Sequence, residues 1–79
     1  MKVQVILYGT LPKGVAGYNH DRGLAVELPD GSSVGDLVDC LKISRSRLGL
    51  ISVAGAPAKV HTRLKDRDCV KIFQPIAGG

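Results

Sequence analysis

The stretch that decides the fold is SSVGDLVDCL, residues 32–41. Its apolar side chains recur at i, i+3, i+4 and i+7, a spacing that predicts one amphipathic helix with a single buried stripe. The stripe consists of Val34, Leu37, Val38 and Leu41. Ser33 is placed to accept a hydrogen bond from the first turn, and Asp36 lies where a capping acid is favoured. A helix with one apolar stripe needs one apolar surface to cover it.

Alternating segments on both sides of the helix predict a sheet that provides this surface. In 2–8, Val3, Val5 and Leu7 share one face, which is the period of a half-buried strand. Further strands are predicted at 24–28, 50–54 and 69–73, with a weaker one at 58–61 after a turn at 55–57. The helix packed across the sheet gives a two-layer α+β domain. The crossover through the helix makes the first and last strands the expected central, parallel pair.

Length and composition limit the class of protein. The chain has 79 residues, enough for one small core, and we expect a domain at 1–73 followed by a flexible tail at 74–79. Its 44% hydrophobic content is too high for a disordered polar segment. Its apolar runs are too short for a transmembrane helix or a signal peptide. Two cysteines do not make a disulfide scaffold, so a cytoplasmic protein without a membrane partner is expected.

The charge is unevenly distributed. Residues 41–79 carry eight basic side chains against two acidic ones, whereas residues 1–40 carry three against five. A basic half raises the alternative of an RNA-binding module. However, Tyr8, Tyr18 and Phe73 are the only aromatics, too few for a base-stacking platform. We therefore favour a solvated basic face with some charges near the helix end, and no nucleic-acid partner.

The residues that usually carry catalysis are scattered. His20 and His61 lie in unrelated segments, Cys40 and Cys69 form no CxxC pair, and no glycine loop has the spacing of a phosphate cradle. This predicts a protein that is not itself an enzyme and that holds no metal or cofactor.

The C-terminal segment has a different character. After the last strand come Pro75, Ile76, Ala77, Gly78 and Gly79. An extended Gly-Gly arm lacks Cβ atoms and is thin enough to thread a narrow channel in a partner. Its carboxylate is a poor electrophile that a partner could activate by adenylation, after which a sulfur nucleophile could displace the adenylate. The alternative is a frayed terminus without a function.

An exposed apolar patch is predicted at the base of this tail. Ile6 and Tyr8 on the first strand and Phe73 on the last point away from the helix. If the two strands are neighbours, these three side chains form one surface. Exposed patches of this kind often bind partners.

Three segments together resemble the MoaD/ThiS family of ubiquitin-like sulfur carriers. They are the opening strand at 2–8, LPDGSSV at 28–34 with Asp36 and Leu37, and the closing segment 64–79. The closing segment carries the most specific similarity, with LKDRD followed by Val70, Phe73 and PIAGG.

The resemblance implies a β-grasp (ubiquitin-like) fold, a mixed sheet of four to five strands with one main helix packed across one face. It also implies that Gly79 is adenylated by an E1-like enzyme and converted to a thiocarboxylate with the help of a sulfur donor enzyme. The sulfur would then pass to a cofactor precursor, foremost molybdopterin or tungstopterin. The alternatives are a thiazole sulfur carrier for thiamin and a protein modifier conjugated through Gly79.

The same resemblance implies which partners the chain meets. The outer sheet face near the tail would dock the E1-like enzyme and the large subunit of molybdopterin synthase or another sulfur-accepting enzyme. The free protein is expected to be a monomer.

The chain departs from the family pattern at several positions. Arg67 stands where glycine is usual, so that its turn is either reshaped or strained. Gln74 replaces the first of a common proline pair, which we expect to loosen the tail. Ala54 replaces a frequent asparagine, and the 9–23 loop lacks the helical start found in molybdopterin-synthase subunits.

Overall fold

The computed structural model of this protein describes residues 1–75. Within them the chain forms five strands, one α-helix and a short 3₁₀ turn. In chain order these are β1 (Lys2–Leu7), β2 (Leu24–Glu27), α1 (Val34–Cys40), the 3₁₀ turn (Arg45–Arg47), β3 (Ile51–Val53), β4 (Ala56–Ala58) and β5 (Cys69–Ile72). The predicted α+β class is confirmed.

The sheet has the strand order β2-β1-β5-β3-β4. β1 and β5 are parallel neighbours, with Val5 opposite Val70 and Leu7 opposite Ile72. The other pairs are antiparallel. The first and last strands therefore form the central parallel pair, as the crossover through α1 predicted.

The core lies between α1 and one face of the sheet. Val5, Val70 and Ile72 have no exposed surface, and neither do Leu37 and Val38 of the helix stripe. They belong to one continuous apolar cluster. Burying a side chain of this size stabilises the fold by about 1.5–3 kcal/mol. The inward alternation predicted for β1 and β5 is confirmed.

The helix begins at a capping box. Ser33 Oγ accepts a hydrogen bond from the Asp36 backbone N–H (3.2 Å), and Asp36 Oδ2 accepts one from the Ser33 backbone N–H (2.9 Å). The second of these bonds is the main reason that the pKa of Asp36 lies below its ordinary value of 3.8. The cap fixes where α1 starts and hence how its stripe meets the sheet.

The hairpin between β3 and β4 differs from the prediction. The turn is formed by Ala54 and Gly55, both with positive φ (52° and 83°), and residues 56–58 form a strand instead of the predicted turn at 55–57 and strand at 58–61. A two-residue hairpin with positive φ at both positions matches the twist of its strands. Pro57 is tolerated because β4 is an edge strand, where its missing N–H needs no partner.

The long segment 9–23 folds back beside the end of β1. Leu11 within it has no exposed surface. Tyr18 Oη accepts a hydrogen bond from the Leu7 backbone N–H (2.7 Å) and donates one to the Leu7 carbonyl (3.3 Å). The sequence indicated only a loop here. These two hydrogen bonds anchor the segment to Leu7, the last residue of β1, directly before Tyr8.

The described part of the chain holds no helix long and apolar enough to cross a membrane.

Candidate functional site

The site is built where β1 and β5 end side by side. Because Leu7 is opposite Ile72, the next residues, Tyr8 and Phe73, are brought together on the face away from α1. Their rings stack with centroids 4.3 Å apart and planes 9° from parallel. Phe73 nevertheless stays 37% exposed, so the stacked pair is a surface feature. Two of the three predicted patch residues therefore lie in contact.

Leu50 is a member of this surface that the sequence analysis missed. It is 74% exposed, and together with Phe73 it makes up the exposed large apolar side chains of the described residues. Its carbonyl accepts a hydrogen bond from the Phe73 N–H (2.9 Å), which places it next to the stacked pair. The alternation of β3 could have predicted this exposure, because Leu50 points outward if Ile51 and Val53 point inward.

Tyr8, Leu50 and Phe73 line an apolar groove of about 580 Å³ that also includes Gly9, Gly49, Gln74 and Pro75. We call it the apolar groove below. Apolar side chains that converge at the base of a chain terminus give a partner a surface to grip beside that terminus.

Ile6, the third predicted patch residue, does not line this groove. It is half-buried, and the backbone of Gly23 lies so close that a Cβ there would approach Ile6 Cγ1 to 3.2 Å. The backbone at Gly23 therefore lies against part of the Ile6 side chain.

The start of the tail is bonded to the domain. Gln74 Oε1 accepts hydrogen bonds from the Thr10 backbone N–H (2.8 Å) and from Thr10 Oγ1 (2.6 Å). The expectation that Gln74 loosens the tail is therefore wrong at this residue, because its amide carbonyl reaches a partner that a proline ring could not.

Of the predicted tail, Pro75 is described and exposed, whereas Ile76, Ala77, Gly78 and Gly79 lie outside the described residues. Their proposed roles remain predictions, as does the domain boundary at 73.

Basic side chains lie beside the groove. Lys71 is exposed and lies two residues before Phe73. Because the buried Ile72 stands between them, both side chains point to the outer face of the sheet. Arg47 donates from Nη2 to the Thr10 carbonyl (3.2 Å), which joins the loop before β3 to the loop after β1. Two basic side chains therefore lie near the groove.

The candidate chemical residues of the sequence analysis lie apart from this site. Cys40 is exposed and Cys69 half-buried, both as free thiols, and the His20 ring packs edge-on against Tyr18. Among residues 1–75, no three His, Cys, Asp or Glu side chains are grouped so as to hold a metal ion.

Comparison with known structures finds the same fold in several proteins, including the following three. Small archaeal modifier protein 1 from Haloferax volcanii superposes with a TM-score of 0.73 at 15% identity, over 95% of this chain and 98% of that one. The putative molybdopterin converting factor subunit 1 from Pyrococcus furiosus gives 0.72 at 23% identity, over 95% and 98%. A chain of the complex of subunits 1 and 2 of molybdopterin-converting factor from Helicobacter pylori gives 0.62 at 17% identity, over the full length of this chain and of the matched chain.

No curated protein sequence matches the chain. The model of the ThiS family matches residues 15–79, well over half of the sequence and including its whole closing segment. The resemblance indicated by 28–37 and 64–79 is confirmed, and the chain belongs to the ThiS family.

Proposed function

We propose that this protein is a sulfur carrier whose reactive group is the carboxyl of Gly79. The observation that carries the proposal is the apolar groove of a ThiS-family domain lying directly at the base of a tail that ends in Gly78 and Gly79. The groove supplies a docking surface, and the tail supplies a chemical group that a docked enzyme can reach.

The proposed chemistry has two steps. An E1-like enzyme joins the Gly79 carboxylate to the α-phosphate of ATP, which releases pyrophosphate and leaves an acyl adenylate. Hydrosulfide, delivered by a sulfur donor enzyme, then attacks the acyl carbon, and AMP leaves as the thiocarboxylate forms. The carrier's own task is to present an unhindered carboxyl group, for which two terminal residues without Cβ atoms are suited. No catalytic group of its own is required.

The proposed acceptor is the large subunit of molybdopterin synthase or another sulfur-accepting enzyme. The Helicobacter pylori relative was solved as a complex of its subunits 1 and 2, and we extend that arrangement to this chain. Molybdopterin or tungstopterin is the proposed cofactor product, and the two free thiols suit a reduced cytoplasm.

Adenylation is tested by exchange of labelled pyrophosphate into ATP. The E1-like enzymes of the source organism are purified singly and assayed with and without this protein. We expect one of them to catalyse exchange only when the chain is present, and a chain lacking Gly79 to support none. Failure of every such enzyme to respond to the intact chain would contradict the proposal.

A second candidate function is conjugation to proteins, which the similarity to small archaeal modifier protein 1 favours. It uses the same Gly79 adenylate, but the ε-amine of a target lysine replaces sulfur as the nucleophile. Peptide mass spectrometry of cell extract would show Gly79 in isopeptide linkage. Absence of such peptides in cells that contain the thiocarboxylate would reject conjugation.

A further inference from the structure

Gln74, the second residue after β5, is held by two separate loops. Its Oε1 accepts both the backbone N–H and the hydroxyl of Thr10, at 2.8 and 2.6 Å. Thr10 and Gln74 are 64 positions apart in the chain. Both residues are exposed, so these bonds cross the surface and do not belong to the core.

Two glycines enclose Gln74 from different sides. A Cβ on Gly9 would lie 2.5 Å from Gln74 Cδ, and a Cβ on Gly49 would lie 2.6 Å from the Gln74 carbonyl oxygen. At Gly49 the atom met is backbone, so only a residue without a side chain lets this loop approach; at Gly9 a Cβ would displace the end of the Gln74 side chain that Thr10 binds. The Gly49 N–H also donates to the Phe73 carbonyl (2.7 Å). We call Thr10, Gly9 and Gly49 together with Gln74 the tail clamp.

The fold itself does not need this clamp. The apolar cluster of the core is complete without it, and a typical hydrogen bond adds only about 0.5–1.5 kcal/mol to stability. What the clamp does fix is the position of Gln74, the residue from which the chain passes to Pro75. Residues 75–79 reach at most about 17 Å from that point when fully extended, so the direction of departure decides which volume the end of the tail can occupy.

We propose that Gln74 and Thr10 are positioning residues that aim the tail at the active site of an enzyme docked on the apolar groove. This inference rests on the proposed function. Gln74 lines the groove beside Leu50 and Phe73, so one rigid surface carries both the docking contacts and the origin of the tail. A tail that already points at its target loses less conformational freedom on binding.

The kinetic test separates positioning from docking. Gln74→Leu removes the acceptor at similar size. Thr10→Val removes the hydroxyl of a residue that does not line the groove, and Thr10→Ser restores it. In pyrophosphate exchange with the activating enzyme, we expect Gln74→Leu to lower kcat about five- to tenfold and Thr10→Val to lower it less. KM for Thr10→Val should stay within about twofold, because Thr10 does not line the groove.

Thr10→Ser should return kcat to the unaltered value. Equal kcat for the unaltered chain and Gln74→Leu would overturn the proposal. So would a Thr10→Val variant whose only defect is a raised KM, since that pattern belongs to docking.

A second measurement needs no partner enzyme and therefore distinguishes failure of this inference from failure of the proposed function. A nitroxide is attached to Gly79→Cys in a chain that carries Cys40→Ser and Cys69→Ser, and the broadening of backbone amide signals is mapped by NMR. With Gln74 intact we expect broadening on one side of the domain, and with Gln74→Leu we expect it to spread over more of the surface. Identical maps for the two chains would overturn the inference even if the carrier chemistry is established.

Discussion

At the scale of single residues, the apolar groove depends on side chains that the fold leaves in water. Leu50 is 74% exposed and lies outside the apolar core cluster. Tyr8 and Phe73 stack on each other, which stiffens the surface and contributes about 0.5–1.5 kcal/mol beyond their burial. Such rigid, half-exposed aromatic groups lose little freedom when a partner covers them.

Leu50→Ala is therefore expected to impair docking and spare folding. Its thermal unfolding should match that of the unaltered chain, with a change in stability within about 0.5 kcal/mol. KM for the carrier in pyrophosphate exchange should rise about tenfold, because a central apolar contact is worth about 1–2 kcal/mol. Lys59→Ala, an exposed change outside the groove, is the matched control and should leave KM unchanged. A rise in KM for both variants would count against a specific groove.

Ala54 shows a local conflict between sequence and backbone. Its φ of 52° is one that costs an L-residue about 1–2 kcal/mol, whereas asparagine tolerates it. We expect Ala54→Asn, which creates an Asn-Gly turn with Gly55, to raise the free energy of unfolding by about 0.5–1 kcal/mol. Chemical denaturation measures the change. Ala56→Asn, in the neighbouring strand, is the control and should not stabilise; equal stabilisation by both would show that the turn is not the cause.

At the scale of elements, the short helix α1 depends on its capping box. With seven residues it is too short to be stable alone, so its first turn and its packing hold it together. The pKa of Asp36 is lowered by its bond to the Ser33 N–H. Ionised Asp36 therefore stabilises the folded state above its ordinary pKa of 3.8, and this contribution is lost as the pH falls through the lower folded pKa.

Asp36→Asn should expose this dependence. At neutral pH the variant is expected to unfold at lower denaturant concentration than the unaltered chain, because the neutral amide accepts the Ser33 N–H less strongly. Below pH 3.8 the difference should shrink as Asp36 takes up its proton. Denaturation midpoints measured from neutral to acidic pH check this. If the difference between the two denaturation midpoints stayed constant below pH 3.8, the stabilising role of ionised Asp36 would be contradicted.

The elements also show what local pattern predicts and where it stops. β1, β5 and the stripe of α1 were predicted because their residue periods are local and one face is buried. β4 was missed because Pro57 is acceptable only on an edge, and edge position is a property of the assembled sheet. The contact of Gln74 with Thr10 joins residues 64 positions apart, which no local period encodes. Leu50 could have been identified as outward-facing from the alternation of side chains along β3.

At the scale of the whole molecule, the basic C-terminal half is partly occupied by internal contacts. Arg45 pairs with Asp39 (3.2 Å) beyond the end of α1, which is the predicted placement of positive charge near a helix end. Arg63 donates to the Gly31 carbonyl, and Arg47 to that of Thr10. These side chains hold loops in place, so the charge imbalance alone is weak support for nucleic-acid binding.

We accordingly expect no saturable binding to single-stranded RNA. Fluorescence anisotropy with a labelled oligonucleotide at low salt is the measurement, since phosphate contacts are strongest there. Tight binding that weakens steeply with added salt would revive the RNA-binding alternative and assign the basic face to it.

The central claim is that Gly79 carries the sulfur, and the intact mass of the protein tests it most directly. The full chain and a chain lacking Gly79 are incubated with the activating enzyme, ATP and sulfide, and the thermal unfolding of both is recorded. We predict equal unfolding temperatures, and replacement of one oxygen by sulfur at the C-terminus of the full chain alone. A full chain whose mass never changes, or a deletion that strongly lowers the unfolding temperature, would contradict this account.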